Sequence, residues 1–350
     1  MPQLLRLLKH NKISVTPRTL ARILFLLQSS FWSSIFSVLE KITYSERIDQ
    51  TTLPEDPVFI VGHWRTGSTF LHQMLSLDPK LVAPSLFHVA VPESFLVSYK
   101  YHRPLFKAVV SKSRPMDNVK LGMDEPQEDE YAIYRLTRFS PLEELVFPKK
   151  KEYFLLNLEK YLPNEKQRTQ WEEHLAHYVK KFQFKYGKTI VFKNPFNSFR
   201  IPLLTKQFPK ARFILICRHP YAVVPSTIHM WNIVQQQNCL NNNSHKPSIT
   251  EVTLVMKKMY QKVQMDFQKL PEHQKMIIRY EELEVQPIVQ LQRLYQHLSL
   301  PWSGEFQTRL IDFLDEVKDY KKNHFHLSAD DKRIISGELS DYMNAHGYSS

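Results

Sequence analysis

The stretch from Val58 to Leu71 constrains the fold of this chain more than any other. It opens with Val58-Phe59-Ile60-Val61, a short apolar run of the kind that a strand buried on both faces requires. The chain then passes Gly62 and Gly67 and takes up a helical pattern, with Leu71, Met74 and Leu75 on one face. A strand that feeds a glycine loop, and then a helix N-terminus, converges several backbone N–H groups on one point. The helix dipole adds to their pull, and the point attracts phosphate.

The spacing is almost that of the nucleoside-triphosphate loop, Gly-x4-Gly-Lys-Ser/Thr, but Ser68 stands where the lysine belongs. The positive charge has moved forward to Arg65. An ATPase needs that lysine for the β- and γ-phosphates. A nucleotide with a diphosphate-like group and no γ-phosphate does not. An ordinary strand–turn–helix has the same pattern, so the loop alone leaves both readings open.

Three more runs read as buried strands. Thr189 to Phe192 ends at Lys193, Arg212 to Cys217 ends at Arg218, and Met276 to Arg279 ends at Tyr280. Helical patterns separate them, including Val255, Met259, Val263 and Phe267 at four-residue spacing. This alternation predicts an α/β fold, a P-loop-type parallel sheet flanked by helices. Ligands collect at the carboxyl ends of strands in such sheets. Here those ends carry the glycine loop, Lys193, Arg218 and Tyr280. Between Leu81 and Tyr186 the chain reads as helical, broken repeatedly by prolines such as Pro84, Pro92, Pro126 and Pro141. The acidic cluster Asp124 to Glu130 is either a solvated helix start or one wall of an acceptor site.

Composition narrows the partners. With 350 residues, 43% of them hydrophobic, the chain can bury a large core, as one large α/β domain or two small ones. The formal charge of +12 favours anionic ligands or surfaces. The basic residues are scattered and carry no nucleic-acid motif, so nucleic acid is not an expected partner. Cys217 and Cys239 supply neither a disulfide framework nor a cysteine-rich metal site. Residues 1–50 read as a helical appendage on a cytoplasmic protein. Its run Ile23 to Leu39 is too short and too polar for a confident span and lacks a cleavage signature. Ser29, Ser33 and Ser37 share one helical face, with Ser30 and Ser34 beside them. Two readings stay open: a helix lying on a membrane through residues 20–40, or one packed across the domain with its serines outward.

From Asp56 to Pro301 the chain resembles the sulfotransferases that use 3′-phosphoadenosine 5′-phosphosulfate (PAPS), with a weaker echo in the tail. Arg65-Thr66-Gly67-Ser68-Thr69, followed by Phe70, is similar to that family's 5′-phosphosulfate loop. Arg218-His219-Pro220, with Ser226 in the following helix, is similar to its 3′-phosphate site. Tyr280-Glu281-Glu282-Leu283 resembles the segment near the adenine, and Lys193-Asn194-Pro195 a Lys-x-Pro segment beside the sulfuryl group. The set resembles the bacterial-type and tyrosylprotein-like branches more than the cytosolic one.

The resemblance implies one domain over 51–350 and transfer of a sulfuryl group to an acceptor hydroxyl on a small molecule, lipid or glycan. Lys193, with Arg65 and the loop amides, would stabilise the leaving oxygen, so no metal is demanded. A general base must face the leaving phosphate across the sulfur. The cytosolic branch has a histidine two residues after the motif lysine, and this chain has Pro195 there. His88 is the first choice, as a neutral imidazole. Glu93 is the second, and Glu128 or Asp129 the third. Aromatic and aliphatic residues between Phe87 and Leu105 suit an apolar acceptor pocket or plain core packing. The alternatives are a P-loop nucleotide kinase and a nucleotide-binding protein without activity. The oligomeric state is not legible.

Overall fold

The computed structural model describes residues 2–109, 113–117, 119–241 and 243–349. Its centre is a five-stranded, wholly parallel sheet in the order β2-β3-β1-β4-β5. The strands are β1 (Val58–Val61), β2 (Leu81–Val82), β3 (Thr189–Lys193), β4 (Arg212–Cys217) and β5 (Lys275–Arg279). The four strands expected from the sequence are β1, β3, β4 and β5. Strand β2 was not expected, because two residues cannot display a period.

Side-chain alternation divides the core. Val58 and Ile60 point to one face with Val191, Ile214 and Ile216, whereas Phe59 and Val61 point to the other. On that second face Phe59 stacks between Phe192 and Phe213, with both ring centroids at 5.4 Å. Ile60 lies opposite Lys193 on one side and Ile214 on the other. The carboxyl ends of β1, β3 and β4 therefore come level. Strand order reverses around β1, which opens a crevice above its carboxyl end.

Helix α3 (Ser68–Ser76) buries Leu71, Met74 and Leu75 as their spacing requires. The 22-residue helix Glu165–Tyr186 starts on a reciprocal Asn164–Gln167 capping box and stops at Gly187, whose φ is 58°. Between these lie α4 (Leu86–Ala90), α5 (Phe95–Val109) and α6 (Glu130–Thr137), short pieces in the proline-broken region.

At the N-terminus α1 (Pro2–His10) leads into α2 (Pro17–Asp49), 33 residues long. Helix α2 packs along α5 and the helix Glu165–Tyr186. Its serine face is turned inward, contrary to a helix packed with serines outward. Ser33 and Glu40 are buried, and Ser29, Ser30, Ser34 and Ser37 are half-buried. The reason is polar docking. Glu40 pairs with the buried Lys181 and accepts from the Leu96 amide at 2.7 Å. Ser33 donates to Glu93, which Arg135 also holds. Burial raises the Glu40 carboxyl above its usual range, although Lys181 pulls the other way.

Candidate active site

The loop after β1 owes its shape to two glycines and one strained arginine. Gly62 has φ 125°, and a Cβ there would stand 2.8 Å from the Ile216 carbonyl oxygen. Gly67 has φ 94°, and a Cβ would run into the Tyr280 ring at 2.0 Å. Arg65, with φ 67°, occupies the left-handed region without glycine's freedom. Such a residue costs about 1–3 kcal/mol and needs compensation. Its guanidinium supplies it: Nε donates to Ser226 Oγ at 2.9 Å, and an NH group donates to Asp117 at 2.5 Å. Thr66 closes the loop by donating to the His63 carbonyl at 2.8 Å. No side chain caps α3 at Gly67, so the first-turn N–H groups at Ser68, Thr69 and Phe70 open on the crevice.

Asp117 also takes two hydrogen bonds from Arg114, at 2.7 and 3.1 Å. Burial pushes its carboxyl up, but Arg114 and Arg65 outweigh this and hold it below the usual range.

The end of β4 delivers Arg218, which donates to the Arg65 carbonyl at 3.2 Å and lies over the Tyr280 ring at 4.3 Å. Its backbone is clamped by Tyr342, whose hydroxyl accepts from the Arg218 amide at 2.9 Å and donates to its carbonyl at 2.8 Å. Glu281 accepts from the His219 amide at 2.9 Å and from the Tyr348 hydroxyl at 3.0 Å. These contacts tie the turn after β4 to the start of the helix after β5.

The end of β3 delivers Lys193. Its side chain is buried, and its ammonium donates to Glu128 at 2.7 Å. Burial lowers the Lys193 pKa from its ordinary value, while Glu128 pulls it back up. Behind this pair Asn194 donates to Glu130 at 2.7 Å and to Asp129 at 3.1 Å. Arg200 grips Glu130 with two bonds of 2.5 and 2.9 Å. Burial raises Asp129 to about 6, against the pull of Asn194. Asp129 and Glu130 thus anchor the acidic cluster beneath β3, which leaves Glu128 at the cleft surface.

Arg65, the first turn of α3, Arg114, Asp117, Glu128, Arg218 and Tyr280 line one cleft of about 1100 Å³, and Lys193 lies buried behind Glu128. The far wall of the cleft is Arg114, Asp117, Val119, Lys120, Glu125 and Glu128, with the tail between Val317 and Phe325. Tyr320 donates to the Asp117 carbonyl at 2.9 Å, and Asn323 to that of Met116 at 3.0 Å. Arg65, Arg114, Arg218 and Lys322 all line the cleft, the first two sharing Asp117 and the last paired with Glu284, and such a lining suits an anionic ligand.

Residues 57–304 match the profile of the Sulfotransferase family. This chain belongs to the sulfotransferase family. Two curated relatives are 33% identical over 98% of this chain and 88% of their own length. They are the omega-hydroxy-beta-dihydromenaquinone-9 sulfotransferases Stf3 of Mycobacterium bovis and Mycobacterium tuberculosis. The fold also matches the crystal structure of sulfotransferase STF9 from Mycobacterium avium, at a TM-score of 0.72 and 18% identity. That match covers 95% of this chain and 87% of the other. Sulfotransferase STF1 from Mycobacterium tuberculosis H37Rv matches at 0.64 and 17%, over 95% and 90%. The chain is therefore an enzyme that transfers a sulfuryl group to a hydroxyl, and its family implies PAPS as the co-substrate.

In this sulfotransferase the cleft gathers Arg65, Gly67, Ser68, Thr69, Phe70, Arg218, Ser226 and Tyr280, with Lys193 directly behind Glu128. Thr66 lies buried in the loop that lines it. His88 is not among the lining residues. Its Nδ1 accepts from the Ser85 amide and hydroxyl at 3.1 and 2.8 Å, capping α4. Nε2 meets the Tyr186 hydroxyl at 2.8 Å, and the ring packs on Phe95 and Phe182. Burial, helped by Lys185 and Lys181, pushes its pKa down to about 3. With Nδ1 accepting from the Ser85 amide, the proton sits on Nε2, and the one basic lone pair is engaged within the α4 cap instead of facing the cleft. Glu93 is turned toward α2 by Ser33 and Arg135. Sequence reasoning missed Arg114, Asp117, Tyr342 and the clamp at Glu281. The three-residue spacing of Arg114 and Asp117 was the one available signal, and it is too common to stand out.

Proposed function

We propose that the cleft holds PAPS between the loop and Arg218, and that Glu128 is the general base for the acceptor hydroxyl. The observation that carries this reading is the Lys193–Glu128 contact at 2.7 Å, with the carboxylate at the cleft surface and the buried ammonium behind it. In the empty enzyme each group neutralises the other. When the phosphosulfate binds, its bridging oxygen competes for the Lys193 ammonium, and the freed carboxylate becomes the stronger base. The acceptor oxygen bonds to sulfur as Glu128 takes its proton. The bond from sulfur to the bridging oxygen breaks, and the electron pair leaves with the 5′-phosphate, stabilised by Lys193, Arg65 and the loop amides. These cations meet the phosphate charge, so the reading includes no metal.

The acceptor in this reading is a hydroxyl on a hydrophobic molecule. Two observations support it. The relatives of 33% identity are named for a hydroxylated dihydromenaquinone, and Leu77, Met230, Phe313, Leu314 and Phe325 give the cleft an apolar portion.

Single-turnover transfer from labelled PAPS to a panel of long-chain alcohols and hydroxylated quinones tests the assignment. Glu128→Gln keeps the hydrogen bond to Lys193 and loses the base, so the rate should fall by ~10²–10⁴ while PAPS still binds. Full activity in that variant overturns the assignment.

A further inference from the structure

Helix α2 is amphipathic in the reverse sense to a helix docked on a protein. Its inward face carries Ser30, Ser33, Ser37 and Glu40, of which Ser33 is held by Glu93 and Arg135 and Glu40 by Lys181. Its outward face carries Leu24, Phe31, Ile35, Val38, Leu39 and Ile42, all exposed, Ile42 by 78%. A turn of ~100° per residue aligns Leu20, Leu24, Phe31, Ile35, Val38 and Ile42 in one stripe. From Leu20 to Ile42 the stripe runs about 33 Å at ~1.5 Å per residue. An apolar surface of this length facing outward on a folded enzyme marks a docking site.

The charge around the stripe selects the occupant. Residues 1–39 contain Arg6, Lys9, Lys12, Arg18 and Arg22 and no aspartate or glutamate. Arg6, Lys9, Lys12 and Arg18 are exposed. An anionic lipid surface answers both features, taking the apolar stripe among its acyl chains and the cations among its head groups. A second copy of the chain would bring the same unbalanced positive charge. A transmembrane course is also disfavoured. It would draw Glu40 away from the buried Lys181 and Ser33 from Glu93, and strand those charges in the interior.

We infer that α2 lies flat in the head-group layer of an anionic bilayer, its serine–glutamate face clamped to the enzyme and its Leu20–Ile42 stripe in the lipid. That this delivers the cleft to a hydrophobic acceptor rests on the function proposed above; the docking itself does not.

The test uses the full chain and vesicles, without nucleotide or acceptor, so its outcome is independent of which molecule is sulfated. Vesicles of phosphatidylcholine with phosphatidylglycerol should carry the protein in flotation, and phosphatidylcholine alone should carry far less. The triple variant Leu24→Gln/Ile35→Gln/Ile42→Gln should lose more than about tenfold of the bound fraction. Its binding of 3′-phosphoadenosine 5′-phosphate should stay unchanged, which shows that it is folded. Arg6→Glu/Lys9→Glu/Lys12→Glu, three exposed positions ahead of α2, should abolish the preference for anionic vesicles. Wild-type protein that stays off the anionic vesicles, or a triple variant that floats with them normally, overturns the inference. So does a lipid-free dimer that the triple variant converts to monomer, which would give the stripe to a second copy. Resistance of the bound protein to alkaline carbonate would make α2 a span and overturn it equally.

Discussion

The two walls of the cleft are built on different principles. One wall is the carboxyl edge of the sheet: the glycine loop, Arg218 and Tyr280, with the β3 end placing Lys193 behind Glu128. The other is Arg114, Asp117, Val119, Lys120, Glu125 and Glu128, with the tail between Val317 and Phe325. On the sheet wall each functional residue lies at or just beyond a strand end, and parallel register brings those ends level. On the opposite wall local turns, such as the one that Arg114 and Asp117 close, are fixed in place by distant residues. Tyr320 reaches Asp117, Asn323 reaches Met116, and Glu128 is placed because Asn194 and Arg200 hold its neighbours Asp129 and Glu130. Position on the sheet wall is therefore a property of the strands, and position on the other wall is a property of long-range polar contacts.

If that contrast is right, substitutions on the sheet wall should leave the fold intact and damage single functions cleanly. The largest effect is expected at Lys193. Lys193→Ala removes the cation that the proposed mechanism assigns to the leaving oxygen, and single-turnover rates should fall by ~10²–10³ with PAPS binding retained. Loss of PAPS binding instead would make Lys193 a ground-state contact. A smaller effect is expected at Arg218, where charged hydrogen bonds are worth ~1.5–3 kcal/mol. Arg218→Ala should weaken 3′-phosphoadenosine 5′-phosphate by roughly 10- to 150-fold in calorimetry. Tyr342 grips only the backbone of Arg218, so melting should be little changed. An unaltered dissociation constant would remove Arg218 from the nucleotide site.

The smallest effect concerns His88, and it appears in stability rather than rate. Burial lowers the pKa of His63 to about 4, and of His72 and His88 to about 3, from 6.5. Between about pH 6.5 and 4 the unfolded chain takes up protons at these positions and the folded chain does not. Stability should therefore be full above pH 6.5 and fall as the pH drops, by up to ~1.4 kcal/mol per pH unit for each histidine. Denaturant titrations of His88→Gln should show a shallower fall over this window, with turnover near that of the wild type. An unchanged slope would remove His88 from the stability account, and lost turnover would return it to the chemistry.

The same contrast explains what could be read from the sequence. Strands β1, β3, β4 and β5 announce themselves as apolar runs of four to six residues, and a chemically loaded residue at each end is visible without coordinates. The base is not. His88 and Glu93 stand at a suitable chain distance from the loop, but Tyr186 and Arg135 draw them toward other helices. Glu128 sits inside a run of carboxylates whose members differ only in which buried partner claims them. Helix α2 was legible as amphipathic, yet its serines and leucines do not say which face meets the protein. That was decided by Lys181, Glu93 and Arg135, far away in the chain.

The division of labour between Glu128 and Lys193 is tested most directly by acceptor acidity. Transfer rates would be measured for wild type, Glu128→Gln, Lys193→Ala and His88→Gln across hydroxyl acceptors of graded pKa. Glu128→Gln should regain much of its lost rate with the most acidic acceptors, which arrive already ionised. Lys193→Ala should regain little, because its defect lies in the leaving group. His88→Gln should follow the wild type throughout. A Glu128→Gln deficit that stays the same from weakly to strongly acidic acceptors, or a rescue that appears in His88→Gln instead, would contradict the account.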